Sequence, residues 1–344
     1  MKTKLSSVLA FLLLLTLSSF SHAADAPSYR VTNHFSVGGD GGWDYLTFDA
    51  DAGRLFITRG THVLVLDATT GKTLGDIPDT PGVHGVALAT DLGVAAISNG
   101  KSGTVTLFDL KTLKKTSEVR VGTKPDAILY DPSSHDVFAF NGVSHDVTII
   151  DPTKATVIAT IPLGGAPEFA TSDHRGHVFV NLEDKSEIVE IDVSTKKTLA
   201  HWSLKGCEDP SGLAMDQANS RLFSVCSNQV MTVLDSTTGK LVATLPIGKH
   251  PDAAAFDPEA HLVFSSNGEG TLTIIHEDSP DKYAVIQTLP TAPGARTMAL
   301  DPKSHTIYLV TAKFGATPAA TAEQPHPRPA IIPGTFEVLV VANK

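Results

Sequence analysis

Lys124 to Gly164 reads KPDAILYDPSSHDVFAFNGVSHDVTIIDPTKATVIATIPLG, and this stretch decides the fold. It holds four short apolar or β-branched runs: Ala127–Tyr130, Val137–Phe140, Val147–Ile150 and Val157–Ile161. Between them stand Asp-Pro-Ser-Ser-His-Asp, Asn-Gly-Val-Ser-His-Asp and Asp-Pro-Thr-Lys. Strand-like runs separated by such turn clusters predict consecutive antiparallel strands. The unit recurs along the chain. The Asp that closes its third run falls at Asp67, Asp109, Asp151, Asp192 and Asp235, with spacings of 42, 42, 41 and 43 residues. A strand-rich unit at near-constant period predicts a propeller or solenoid.

The first strands of successive units begin at Tyr45, Val86, Ala127, Phe169, Gly212, Ala253 and Thr297. Seven units of four strands predict an all-β, seven-bladed β-propeller. The last unit is one strand short: it has Thr297–Leu300, Ile307–Thr311 and Phe336–Val341. Tyr29–Val37, ahead of the first unit, is a spare strand of the right type. It is expected to close the ring as the outer strand of blade seven, which leaves no open edge there.

The repeat copies AAISNGKSGTVTLFDLKTLKKTSEVRVG (95–122) and VFSSNGEGTLTIIHEDS (263–279) carry a pattern of their own. Taken over the copies, a strand ends in Asn, then come Gly-Thr-Val-Thr-Leu-Phe-Asp (103–109), Thr-Gly-Lys (70–72) and an Ile-Pro-Leu-Gly close (161–164). This pattern resembles the YVTN-repeat β-propeller family across essentially the whole chain after its first residues, although no copy holds the literal Tyr-Val-Thr-Asn. The resemblance implies the propeller fold and export. It implies no catalytic set, because that family shares none, and many of its members look like binding or surface proteins.

Residues 1–23 read as a secretory signal peptide. Lys2 and Lys4 precede the apolar run Val8–Leu17, and Ser21-His22-Ala23 offers small residues for cleavage. The run is too short for an ordinary membrane span. Residues 24–344 are then expected to form one propeller domain, periplasmic or secreted, monomeric and not membrane-spanning. Beyond residue 23 the chain has 25 Lys and Arg against 37 Asp and Glu, a net charge of about −12. That balance argues against a nucleic-acid partner, which needs a basic footprint. The two cysteines, Cys207 and Cys226, flank one predicted hairpin and are expected to form a disulfide in an oxidising compartment.

Alternating strand directions put two sets of loops on one face: those between blades and those between the second and third strands. Five residues before the Asp that ends each first strand, the chain has Asp44, Asp126, Glu168, Ser211, Asp252 and Arg296, and blade two offers Gly85 with His84 beside it. Common turns do not need Asp, Glu, Ser and Arg at one repeat position, so this variation marks the channel mouth as the expected site. Converging carboxylates are also expected to raise one another's pKa values. At the ends of the second strands stand Arg59, Asn99, Asn141, Asn181, Asn228, Asn267 and Lys313. Asn is a common turn residue, but beside a carboxylate ring Asn141 and Asn267 are also candidates to present amides to a ligand.

Three functions follow. The first is binding of a small polar ligand, metal complex or protein partner by Asp44, His84, Asp126, Glu168, Ser211, Asp252, Arg296, Asn141 and Asn267. The second is a metal-assisted hydrolase, lactonase or lyase. There Asp126, Glu168 and Asp252 hold a divalent cation such as Ca or Mg, and His84, Glu168 and Arg296 are the candidate catalytic groups. The third is a protein-interaction scaffold. The Pro- and Ala-rich insertion 314–335, with His326 and Arg328, falls on the mouth face as a candidate lid. Gly38 to Gly42 reads as a flexible link before blade one, and Trp43 as a residue that packs between blades or stacks on a ring.

Overall fold

A computed structural model describes residues 28–319, 321, 327 and 329–343. The expected signal segment 1–23, His326 and Arg328 lie outside the described residues. The chain forms seven four-stranded antiparallel sheets, each built from consecutive strands except the last. In blade three the strands are Pro125–Asp131, Asp136–Asn141, Asp146–Asp151 and Thr156–Pro162. Each extends a residue or two past its apolar run, because the flanking Pro, Asp and Asn still pair across the ladder.

Blade seven holds Met298–Asp301, Thr306–Thr311 and Glu337–Asn343, with Tyr29–Ser36 as its outer strand. The closing ladder runs from Tyr29 opposite Asn343 to Ser36 opposite Glu337. Two contacts fasten its start to blade six. The Gln287 side chain accepts from Tyr29 N (3.0 Å) and donates to Tyr29 O (2.8 Å). The Tyr29 ring meets Phe264 edge-on at 5.4 Å.

The core lies between blades. Second and third strands are buried on both faces, so they read as unbroken apolar runs. Phe138, Phe140, Val147 and Ile149 of blade three pack on Val178, Val180, Leu182, Val189 and Ile191 of blade four. Each such side chain contributes about 1.5–3 kcal/mol by leaving water. Outer strands alternate toward solvent and leave Leu74, Val157, Ile158 and Leu199 exposed. The Asp that sets the period caps a turn: Asp151 Oδ1 accepts from Thr153 N and Lys154 N (both 3.0 Å) and from Thr153 Oγ1 (2.7 Å). Asp67, Asp109 and Asp235 do the same with Thr70, Thr112 and Thr237. The repeated Asp is therefore scaffold.

Cys207 and Cys226 are joined by a disulfide across 19 residues. Closing a loop of this length restricts the unfolded chain by about 3 kcal/mol. Replacing both cysteines by Ser is expected to lower the denaturation midpoint by that order. An unchanged midpoint in chemical denaturation would show that the bridge contributes nothing.

Candidate functional site

An extra residue at the head of the inner strand builds the mouth. In blade three Pro125 pairs with Asn141 and Ile128 with Ala139, so Asp126 and Ala127 oppose Phe140 alone. The same shift in register brackets His84–Gly85, Glu168–Phe169, Ser211–Gly212 and Asp252. A β-bulge of this kind turns a side chain out of the pleat. Asp44 and Arg296 come instead from the segments just before the inner strands of blades one and seven.

Six members of the expected ring are linked as a set. His84 Nδ1 lies 2.5 Å from Asp44 Oδ2 and 3.1 Å from Asp126 Oδ1. Arg296 Nη2 is 4.0 Å from Asp44 Oδ1, and its Nε is 3.6 Å from Asp252 Oδ2. Glu168 has no ion-pair partner among the described residues, yet the charges of Asp126, Glu183 and Asp252 act on it. Burial and those charges push its carboxyl up to about 9. Burial raises Asp252 to about 7, with Asp44, Asp126 and Glu183 adding to the shift and Arg296 opposing it. Asp126 is also raised, chiefly by burial. Burial alone would lower His84; the hydrogen bond to Asp44 and the charges of Asp126 and Asp44 outweigh it and raise the imidazole.

Ser211 does not join the set. Its hydroxyl donates to Pro251 O at 3.3 Å, tying blade five to blade six. The asparagines also differ from expectation. Asn141 and Asn267 are fully buried. Asn141 Nδ2 donates to Asp146 Oδ1 (2.6 Å) and Thr148 Oγ1 (3.0 Å), and Asn267 Nδ2 donates to Thr271 and Thr273 Oγ1 (3.0 Å each). Their amides staple the second strand to the third, because the third strand places hydroxyls or a carboxylate within reach. The spacing Asn-x4-Thr-x-Thr at Asn99, Thr104 and Thr106 was the available signal.

Arg59 is buried as well. Its guanidinium donates to Gly38 O (3.3 Å), Asp40 O (2.9 Å) and Gly41 O (3.4 Å), and lies 3.7 Å from the centre of the Phe336 ring. The Gly-rich loop is thus pinned rather than a free link. The stem of the insertion forms a short antiparallel ladder: Phe314 bridges Ile331, and Gly315 N donates to Ala330 O (2.8 Å). Trp43 packs on Phe336 at 5.3 Å and Phe314 at 6.1 Å.

Two participants were not singled out in the sequence. Lys124 Nζ is 3.2 Å from Asp126 Oδ2. Tyr45 stacks on Phe169, from blade four across the axis, with ring centroids 4.5 Å apart. At the equivalent position the other blades carry Gly85, Ala127, Gly212, Ala253 and Thr297. Small neighbours leave the axis to these two rings, which floor the mouth. The Tyr45 hydroxyl is buried without a hydrogen-bond partner. Burial raises its pKa well above the ordinary phenol value, and the charges of Asp126, Glu168, Asp44 and Asp252 add to this. Two aromatics among five small residues at one repeat position were the signal for the floor. Among the described residues, the metal-competent group of His, Cys, Asp and Glu is Asp44, His84 and Asp126, whose ligand atoms lie within 4.8 Å of one another. Of the expected cation set, only Asp126 belongs to it.

No family model matches the chain. A curated protein of Pseudomonas aeruginosa strain PAO1, dihydro-heme d1 dehydrogenase, is 25% identical over 218 residues, covering 59% of this chain and 44% of that protein. The chain therefore spans less than half the length of this relative. A chain of Kuenenia stuttgartiensis hydrazine synthase superposes with a TM-score of 0.68 at 18% identity, covering 79% of this chain and 94% of that one. A chain of the mitotic checkpoint complex superposes at 0.74 with 13% identity, covering 98% of each. The structural likenesses are of fold alone.

Two outcomes follow from the electrostatics. A carboxyl raised in the folded state keeps its proton while the unfolded chain loses it, so stability falls as pH rises from the ordinary carboxyl range toward the folded pKa. For Asp252 and Glu168 this window runs from about 4 to about 9. Glu168→Gln is expected to flatten the fall and to stabilise the metal-free protein at pH 9.5 by about 2 kcal/mol, allowing for water at the mouth; denaturation at pH 5, 7 and 9.5 reads this. Tyr45→Phe keeps the stack and removes an unpartnered hydroxyl, so its melting temperature is expected to equal or exceed the parent's. A clear drop would mean that the hydroxyl has a partner.

Proposed function

We propose that the chain is an exported propeller of the YVTN-repeat type that binds a small polar ligand or metal complex at the channel mouth, through a divalent cation held by Asp44, His84 and Asp126. The observation that carries this reading is the convergence of two carboxylates and one imidazole within 4.8 Å. The buried, partnerless Tyr45 hydroxyl beside the same carboxylates supports it, because an unpaired buried hydroxyl costs stability unless a ligand satisfies it. A nitrogen donor suits zinc, manganese, iron or cobalt better than calcium or magnesium, which take oxygen donors. This shifts the expected cation away from Ca or Mg.

Export is supported by the leader-like residues 1–23 and by the disulfide, which suits an oxidising compartment. Among the described residues no helix is long and apolar enough to cross a membrane. The activity named for the Pseudomonas relative is not carried over, because the match covers too little of that protein.

A second reading, metal-assisted hydrolysis, draws on Glu168. A carboxyl that holds its proton to about pH 9 is suited to general-acid work, while a bound cation polarises a carbonyl. Turnover of a lactone or ester by zinc- or manganese-loaded protein, lost in Glu168→Gln, would select this reading over binding alone.

Titration of EDTA-stripped protein by calorimetry is expected to give one zinc or manganese ion per chain. Asp126→Asn is expected to weaken it by at least roughly tenfold, since loss of a group that merely orients a metal ligand already costs that much. No binding of either ion at millimolar concentration by the parent protein would falsify the cation reading and leave the scaffold role.

A further inference from the structure

Beside the carboxylates, between blades one and two, lies a cavity of about 480 Å³ whose walls carry two lysines. Its walls include Trp43, His84, Lys101 and Lys124, one carboxylate, Asp44, which is turned to His84 Nδ1, and glycine backbone at Gly42, Gly60, Gly82 and Gly100. Glycine at one repeat position lets Lys101 lie over the inter-blade loop: a Cβ on Gly82 would fall 2.6 Å from Lys101 Cγ. The Gly82 carbonyl accepts from Gly100 N (2.8 Å), and the same inter-loop bond is formed by the carbonyls of Lys124, Ala166, Glu208 and His250 in blades three to six. Among these five blades, only blade two carries glycine there. Gly42 also faces open space: no heavy atom lies within 4 Å of where its Cβ would sit.

The exposed groups fit an anion. Lys101 forms no ion pair among the described residues. Lys124 reaches Asp126 from the same wall. His84 is held through Nδ1 by Asp44 and Asp126, which leaves Nε2 on the Gly100 side; a Cβ on Gly100 would lie 2.7 Å from it. When Nδ1 gives its lone pair to a cation, the ring proton sits on Nε2 and donates toward the cavity. Trp43 supplies a flat wall, braced from behind by Phe336 and Phe314.

We propose that this cavity binds the anionic group of a small aromatic ligand, a carboxylate or a phosphate, between Lys101, Lys124 and His84 Nε2, with the ligand ring against Trp43. The proposal deepens the binding reading of the mouth; Lys101 and Lys124 carry it without the cation, and His84 Nε2–H adds to it when the cation is held. Positive groups on a flexible stem and a ring donor suit either anion. The indole face suits a planar partner.

The test uses Trp43 fluorescence in a Trp202→Phe background, with benzoate, phenyl phosphate and uncharged benzamide as probes, on EDTA-treated and on zinc-loaded protein. Saturable quenching by benzoate or phenyl phosphate, with benzamide much weaker, is the expected result; the tighter of the two anions identifies the group. Lys101→Glu is expected to weaken the anion by roughly tenfold or more. Gly42→Leu is expected to abolish binding with an unchanged melting temperature, since its Cβ meets nothing. The proposal is overturned if neither anion quenches, if benzamide matches them, or if Lys101→Glu binds as the parent does. Metal calorimetry on the same samples separates the two ideas: anion binding without zinc uptake sinks the cation alone, and zinc uptake without anion binding sinks the cavity alone.

Discussion

Everything in this molecule depends on the ladder between Tyr29–Ser36 and Glu337–Asn343. Six blades are built from consecutive strands, and each can form locally. The seventh requires the two ends of the described chain to meet, and only then does every blade have neighbours on both sides. The loop entropy of joining segments some 300 residues apart is large but grows slowly with length. It is offset by main-chain bonds along the ladder and by the burial of Tyr29 and Phe35. The ring also fixes the mouth, since Asp44 and Arg296 meet only when blade one docks beside blade seven.

The site turns on a conflict of charge. Four carboxylates converge where water is scarce, and the structure resolves the conflict in two ways. Asp44 and Asp126 share the imidazole of His84, and Asp252 lies near Arg296. Glu168 has no ion-pair partner among the described residues; the charge of Lys124 only partly opposes burial and its acidic neighbours, and it keeps its proton. A cluster of four carboxylates therefore carries less negative charge at neutral pH than its composition suggests.

Much of this was legible in the sequence, because a repeat converts linear position into angular position. The period gave seven blades, and the missing strand of the last blade pointed to Tyr29. The break in repetition at Asp44, His84, Asp126, Glu168, Asp252 and Arg296 located the mouth. What failed was the direction of side chains. Asn141 and Asn267 end their strands as ligand residues would, but the next strand offers hydroxyls and a carboxylate that capture them. Ser211 turns to a backbone carbonyl for a similar reason. Arg59 found carbonyls in a glycine loop whose path no local pattern encodes. Tyr45 read as the first residue of a strand; only the ring closure shows that it faces Phe169.

That pair of rings has a mechanical side. A closed ring of blades joined at one seam behaves like a split washer: strain at the seam is felt around the circumference. Tyr45 and Phe169 act as a spoke across the hub, tying blade one, next to the seam, to blade four on the far side. An offset aromatic pair is worth about 0.5–1.5 kcal/mol beyond its burial, small against the rim but applied where leverage is greatest. Opening the seam must therefore also part the spoke.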